Sequence, residues 1–183
     1  MAFNTGQYGL FFVVVLALHW ALPRTWRRPF LLLASYYFYA SWLPQYLLLI
    51  WGLTLFGYGM GRWIARAHGR TRTVALWIAI AGNLGSLAYF KYSQLLLSSI
   101  QPLLRHLPLM GPLFTDSITL TIILPLGISF FTFEFIHYVV EVYKGHEPIT
   151  NPVDFALFAA FFPTQIAGPI KRFPDFMKQI QHP

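Results

Sequence analysis

The stretch FLLLASYYFYASWLPQYLLLIWGLTLFGYGMG, residues 30–61, decides the fold, because it carries no charged residue at all. At about 1.5 Å per residue it is too long for one upright membrane crossing of roughly 20 residues and short for two. Pro44 sits near its middle, beside Ser41-Trp42. A proline there removes a backbone donor and favours a break. The run therefore reads as two short spans, about 29–43 and 45–61, joined by a tight turn. The alternative, one long tilted helix with a kink, would reverse the side of everything downstream. Charge decides between them: Arg24, Arg27 and Arg28 precede the run, and Arg62, Arg66, Arg70 and Arg72 follow it. A hairpin puts both clusters on one side, which the positive-inside rule makes the cytoplasm, with the N-terminus outside. A single span would strand one cluster on the wrong side.

The rest of the composition agrees with a polytopic membrane protein. Hydrophobic residues make up 56% of the chain and charged residues 10%, where a soluble domain carries about a quarter charged. The formal charge of +7 sits in short clusters between apolar runs, so it reads as a topology signal and gives no nucleic-acid surface. With no cysteine there is no disulfide framework, thiol nucleophile or cysteine metal site. The N-terminus, Met1 to Tyr8, lacks the positive region and cleavage pattern of a signal peptide, so the first apolar segment is expected to stay.

Further spans follow from hydropathy. Tyr8–Leu22 is the first, and Val74–Phe90 the fourth, ending at Lys91-Tyr92. Leu96, Ile100, Leu103 and Leu107 then recur at helical spacing, which suits a short amphipathic helix in the interface, interrupted by Pro102 and Pro108. After a Pro/Gly loop at 109–117, Ile118–Val140 is the longest apolar stretch, followed by a polar loop up to Pro152. Val153–Ile170 is apolar but interrupted by Pro163, Gly168 and Pro169. If it crossed, Lys171, Arg172 and Lys178 would emerge outside, so it is expected to re-enter or break, with its backbone covered by protein. The expected fold is all-α: about five transmembrane helices, an interfacial helix, and a re-entrant or broken helix near the C-terminus.

Within this frame, ionisable groups at membrane depth mark candidate function, because they are costly there. Glu134, His137 and Glu141 are spaced by three and four residues, so they project from one helix face. A carboxylate beside an imidazole can act as a general-base pair. The same set could line a tunnel, fix helix packing by ion pairing, or conduct protons. One imidazole and two carboxylates on a single helix do not close a zinc shell, so no metal is expected. Lys171 and Arg172 follow a Gly-Pro break, where they could meet the phosphates of an anionic donor or simply anchor the chain. Asn83 could hydrogen-bond across helices, with Gly82 and Gly85 allowing close packing. His19 reads as an interfacial or packing histidine, and Tyr36-Tyr37-Phe38-Tyr39 with Trp42 as an aromatic belt. There is no G-x-S-x-G, glycine-rich phosphate loop or H-E-x-x-H.

Four stretches carry a resemblance. They are Leu31 to Ala40 (LLLASYYFYA); Asn83-Leu84-Gly85 with Phe90-Lys91-Tyr92; Leu124 to Phe133 (LPLGISFFTF) with Val142-Tyr143-Lys144-Gly145; and Phe161-Phe162-Pro163 with Ala167-Gly168-Pro169-Ile170. In this order and spacing the chain resembles the membrane-bound O-acyltransferase family, in its bacterial alginate and polysaccharide O-acetylation branch. The resemblance implies an enzyme of the cytoplasmic (inner) membrane that moves an acyl group, acetyl above all, from a cytoplasmic thioester such as acyl-CoA through a membrane tunnel. The acceptor is then a hydroxyl on an exported polysaccharide, reached with periplasmic or extracellular partner proteins. No bound cofactor is implied.

The family's essential histidine lies in the second half of a chain about twice as long or more, so it is expected beyond Pro183. His137 does not inherit its role. On the resemblance, Glu134, His137 and Glu141 line the tunnel and Lys171 and Arg172 sit near the donor entrance. The 183 residues are then expected to be an N-terminal portion that lacks activity alone: a truncation, a fragmentary gene product or one half of a split enzyme. Two other functions stay open, a non-catalytic membrane scaffold or export subunit, and an ion- or proton-conducting protein.

Overall fold

The computed structural model describes residues 6–41, 44–105, 125, 127–164 and 171–181. Seven α-helices make up the described chain: α1 (Gly6–Ala21), α2 (Arg24–Ala40), α3 (Leu47–Arg66), α4 (Gly69–Arg105), α5 (Ile128–Tyr143), α6 (Pro152–Ala160) and α7 (Phe173–Gln181). Short 3-10 turns stand at Pro44–Tyr46 and Phe162–Thr164. Among the described residues there is no strand, as an all-α fold requires.

The break at Pro44 is present. α2 ends at Ala40, the 3-10 turn follows, and α3 begins at Leu47. Both arginine clusters consequently lie at one end of the molecule. Arg28 bonds Asp154 at the start of α6, Arg62 donates to the Tyr58 hydroxyl, which itself donates to the Thr150 carbonyl, and Arg72 reaches the end of α5. Asp154, Thr150, Val142 and Tyr143 all belong to the segment from Val142 to Asp154.

Among the described residues two helices are long and apolar enough to cross a membrane, Pro44–Arg66 and Gly69–Ser93. The expected count of five spans is not reached on that measure: α1 and α5 have 16 residues each and so run about 24 Å, against a hydrocarbon core of about 30 Å. Two boundaries and the aromatic belt differ from the sequence reading. α4 does not stop at Lys91 but continues to Arg105, with Pro102 in its last turn, so residues 96–105 of the expected separate interfacial helix are a continuation of α4. A single lysine does not end a helix, and a proline so close to the end forfeits little of the ladder. The helix expected to start at Ile118 starts at Ile128, because Gly127 adopts φ 72°, a left-handed conformation that only glycine takes easily. Residues 118–124 and the loop 109–117 lie outside the described residues. The aromatic belt divides: Tyr37 is exposed, but Phe38 and Tyr39 are core residues.

α3, α4 and α5 pack on one another, α6 wedges between α2, α3 and α5, and α1 lies along α2. The core is aromatic, built from Phe135, Tyr138, Phe155, Phe158 and Phe173. Tyr138 lies so close over Gly61 that a Cβ there would run into its ring. Gly82 likewise sits under Phe56, whereas Gly85 faces open space. Asn83 is buried, but its amide donates to Ala79 of its own helix at 2.8 Å and does not bridge helices.

Candidate site at the broken segment

The apolar segment after residue 152 folds as two short pieces. Asn151 caps α6, accepting from the Val153 N–H at 2.8 Å, with Pro152 at the first helical position. α6 then runs only nine residues, and Phe161 leaves the helix with ψ 104°. Nine residues rise about 14 Å, far short of a crossing. The segment is broken, as expected. Ending a helix in an apolar interior orphans its last carbonyls and the next N–H groups. Two side chains meet these needs. The Ser35 hydroxyl of α2 accepts from the Phe162 N–H at 3.3 Å, and Lys171 donates to the Phe158 carbonyl at 2.5 Å.

Lys171 is the centre of the site. Its Nζ lies 3.3 Å from Glu134 Oε2, with side-chain exposures of 8% and 4%. Three phenylalanine rings surround the ammonium: Phe158 and Phe176 at 5.3 Å and Phe161 at 5.7 Å. Burying either charge alone would cost several kcal/mol, roughly. Here the carboxylate, the negative C-terminal end of α6 and the ring faces all compensate the cation. α7 supplies part of the cage because it is amphipathic: Phe173, Phe176 and Met177 point inward, while Asp175, Lys178 and Gln179 face out.

The other candidates go elsewhere. Glu141 pairs with Lys144 at 2.8 Å and with His146 at 3.2 Å in the loop after α5. His137 is half-buried, and its Nδ1 is buried without a hydrogen-bond partner. No hydrogen bond among the described residues joins Glu134, His137 and Glu141. Arg172 is exposed, turned away from its neighbour Lys171. So the structure unites Glu134 with Lys171, across two elements, and separates residues that share a helix face or are adjacent in sequence. Among the described residues no three His, Asp or Glu side chains gather as metal ligands.

Sequence reasoning missed three parts of this arrangement: the phenylalanine cage, the Ser35 contact, and the Arg28–Asp154 pair at 3.1 Å that ties α2 to α6. Phe158, Phe161, Phe173 and Phe176 recur three apart on either side of Lys171, and that spacing was the available signal.

Over 176 residues, 94% of the chain, the sequence is 40% identical to a protein of Pseudomonas aeruginosa named "Probable alginate O-acetylase AlgI", and covers 33% of that protein. The protein of the same name from Azotobacter vinelandii is 39% identical over 94% of the chain and 34% of its own length. The chain is homologous to alginate O-acetylases. The resemblance to the membrane-bound O-acyltransferases, in their alginate branch, is thereby borne out. A peptidoglycan O-acetyltransferase of Helicobacter pylori is also similar, at 30% identity over 96% of the chain and 36% of that protein. The chain spans about a third of the length of the curated relatives it matches. No family model and no solved structure matches it.

Proposed function

We propose that these residues form part of a membrane-embedded polysaccharide O-acetyltransferase. One observation carries the reading: nearly the whole chain aligns with two differently named kinds of O-acetyltransferase, both acting on polymers built of sugars by their names. On this reading an acetyl group passes from a cytoplasmic thioester, acyl-CoA or another acyl thioester, to hydroxyls of an exported polysaccharide, with partner proteins receiving it on the far side. The described helices build one wall of the passage. The Glu134–Lys171 pair holds the broken segment against α5, so that its backbone can lie at membrane depth with its polar groups satisfied.

The placement in the bacterial cytoplasmic membrane belongs to the same proposal, with about five crossings and the N-terminus outside. Both arginine clusters at one end, and a nine-residue α6 that cannot cross, support it. Since the chain has no native cysteine, single cysteines placed at Thr25 and His68 should both react with an impermeant thiol reagent only from the cytoplasmic face. Reaction from opposite faces would refute the hairpin topology.

Transfer is tested with membrane vesicles from the native cells, where these residues are accompanied by whatever completes the enzyme, supplied with labelled acetyl-CoA on the cytoplasmic face. Label should appear as base-labile ester on polysaccharide. No label above vesicles lacking the protein, with the partner proteins present, would refute the activity.

A further inference from the structure

A second site lies where α1 meets α2, against the broken segment at Leu157 and Phe161. Here a cavity of about 260 Å³ is lined by His19, Arg24, Arg27 and Arg28. No carboxylate among the described residues lines it. Arg28 is neutralised by Asp154 at 3.1 Å on its other side. Arg27 is held in place but not neutralised: its Nε donates to the Leu22 carbonyl at 3.0 Å and its guanidinium lies 5.3 Å from the Trp20 ring centre. Arg24 is exposed and has no charged partner among the described residues. The start of α2 adds to the positive field, because Pro23 offers no side-chain cap to its first N–H groups. His19 brings a buried Nδ1 with no hydrogen-bond partner.

This basic cavity continues into an apolar one. The second cavity, of about 330 Å³, shares His19, Leu31 and Phe161 with the first and runs up α1 past Leu16, Val15 and Phe12. Cations at the end of two helices, an apolar channel leading inward, and exposed Trp20 and Trp26 beside the mouth are the chemistry of an amphiphile at a membrane interface. A soluble anion would use the basic cavity and leave the apolar one empty.

We propose that His19, Arg24 and Arg27 bind the phosphate of an anionic phospholipid whose acyl chain lies in the apolar cavity along α1. This site is independent of the acetyl-transfer reading and tested without it. The purified protein in detergent is titrated with phosphatidylglycerol or phosphatidylcholine, and bound lipid is counted by native mass spectrometry. Phosphatidylglycerol should bind more tightly than phosphatidylcholine. Arg24→Gln should weaken it about fivefold, the worth of one interfacial cation, and Arg24→Lys should restore most of the loss. Leu16→Trp, which fills the apolar cavity, should weaken it as well. Equal binding of the two lipids, or an Arg24→Gln protein that binds phosphatidylglycerol like wild type, would overturn the proposal. So would displacement of the lipid by millimolar inorganic phosphate together with an unaffected Leu16→Trp protein, since the site would then be one for soluble phosphates.

Discussion

Glu134 and Lys171 hold each other's charge inside an aromatic shell, and the energetics of such a pair are asymmetric. Removing one partner leaves the other buried and uncompensated, at a cost of about 3–5 kcal/mol, whereas replacing both with apolar or neutral groups of similar shape costs far less. Lys171→Met should therefore lower the thermal transition in detergent more than the Glu134→Gln/Lys171→Met double variant does. If the two single losses simply add in the double variant, the residues are not coupled. Glu134 was legible in the sequence as a buried carboxylate, because an acidic residue in an apolar helix stands out. Its partner was not, since the one nearby signal, the paired phenylalanines on either side of Lys171, shows a ring cluster but not which cation it encloses. The pairing exists only once α6 ends early and exposes the Phe158 carbonyl.

At the scale of elements, helices were read correctly where a local breaker acts and misread where the decision is a backbone conformation or a tertiary contact. Pro44 marked the hairpin. Pro125-Leu126-Gly127 stands near the start of the apolar stretch, but the helix was read through it because the apolar run continues on both sides. α4 continues beyond Lys91 because nothing in Tyr92 to Ser99 opposes a helix. Packing between elements has a clear test at Gly61, where the ring of Tyr138 occupies the space a methyl group would need. Gly61→Ala should destabilise the protein by about 1–3 kcal/mol through overpacking. Gly85→Ala, in open space on α4, should be neutral or stabilise by up to about 1 kcal/mol through helix propensity. Thermal unfolding of the two variants side by side checks this, and equal loss in both would show that the close approach of α3 and α5 is absent.

Over the described molecule, large apolar side chains stand on the outside as well as in the core. Leu10, Val13 and Leu18 on α1, Leu48 and Leu55 on α3, and Trp77 and Leu84 on α4 are all exposed. A soluble domain rarely shows so much contiguous apolar surface, whereas lipid or further protein covers it without cost. The aromatic core beneath is tied to the broken segment at its centre, and the arginine-rich end collects the loops between α5 and α6. These features fit the proposed wall of a membrane-embedded O-acetyltransferase. The acetyl content of the exported polysaccharide tests that claim most directly. It is measured as base-released acetate from cells with the coding gene deleted, restored, or restored with Lys171→Met. Acetate should vanish on deletion, return with the wild-type gene, and stay low with Lys171→Met. Unchanged acetate in the deleted strain would contradict the account.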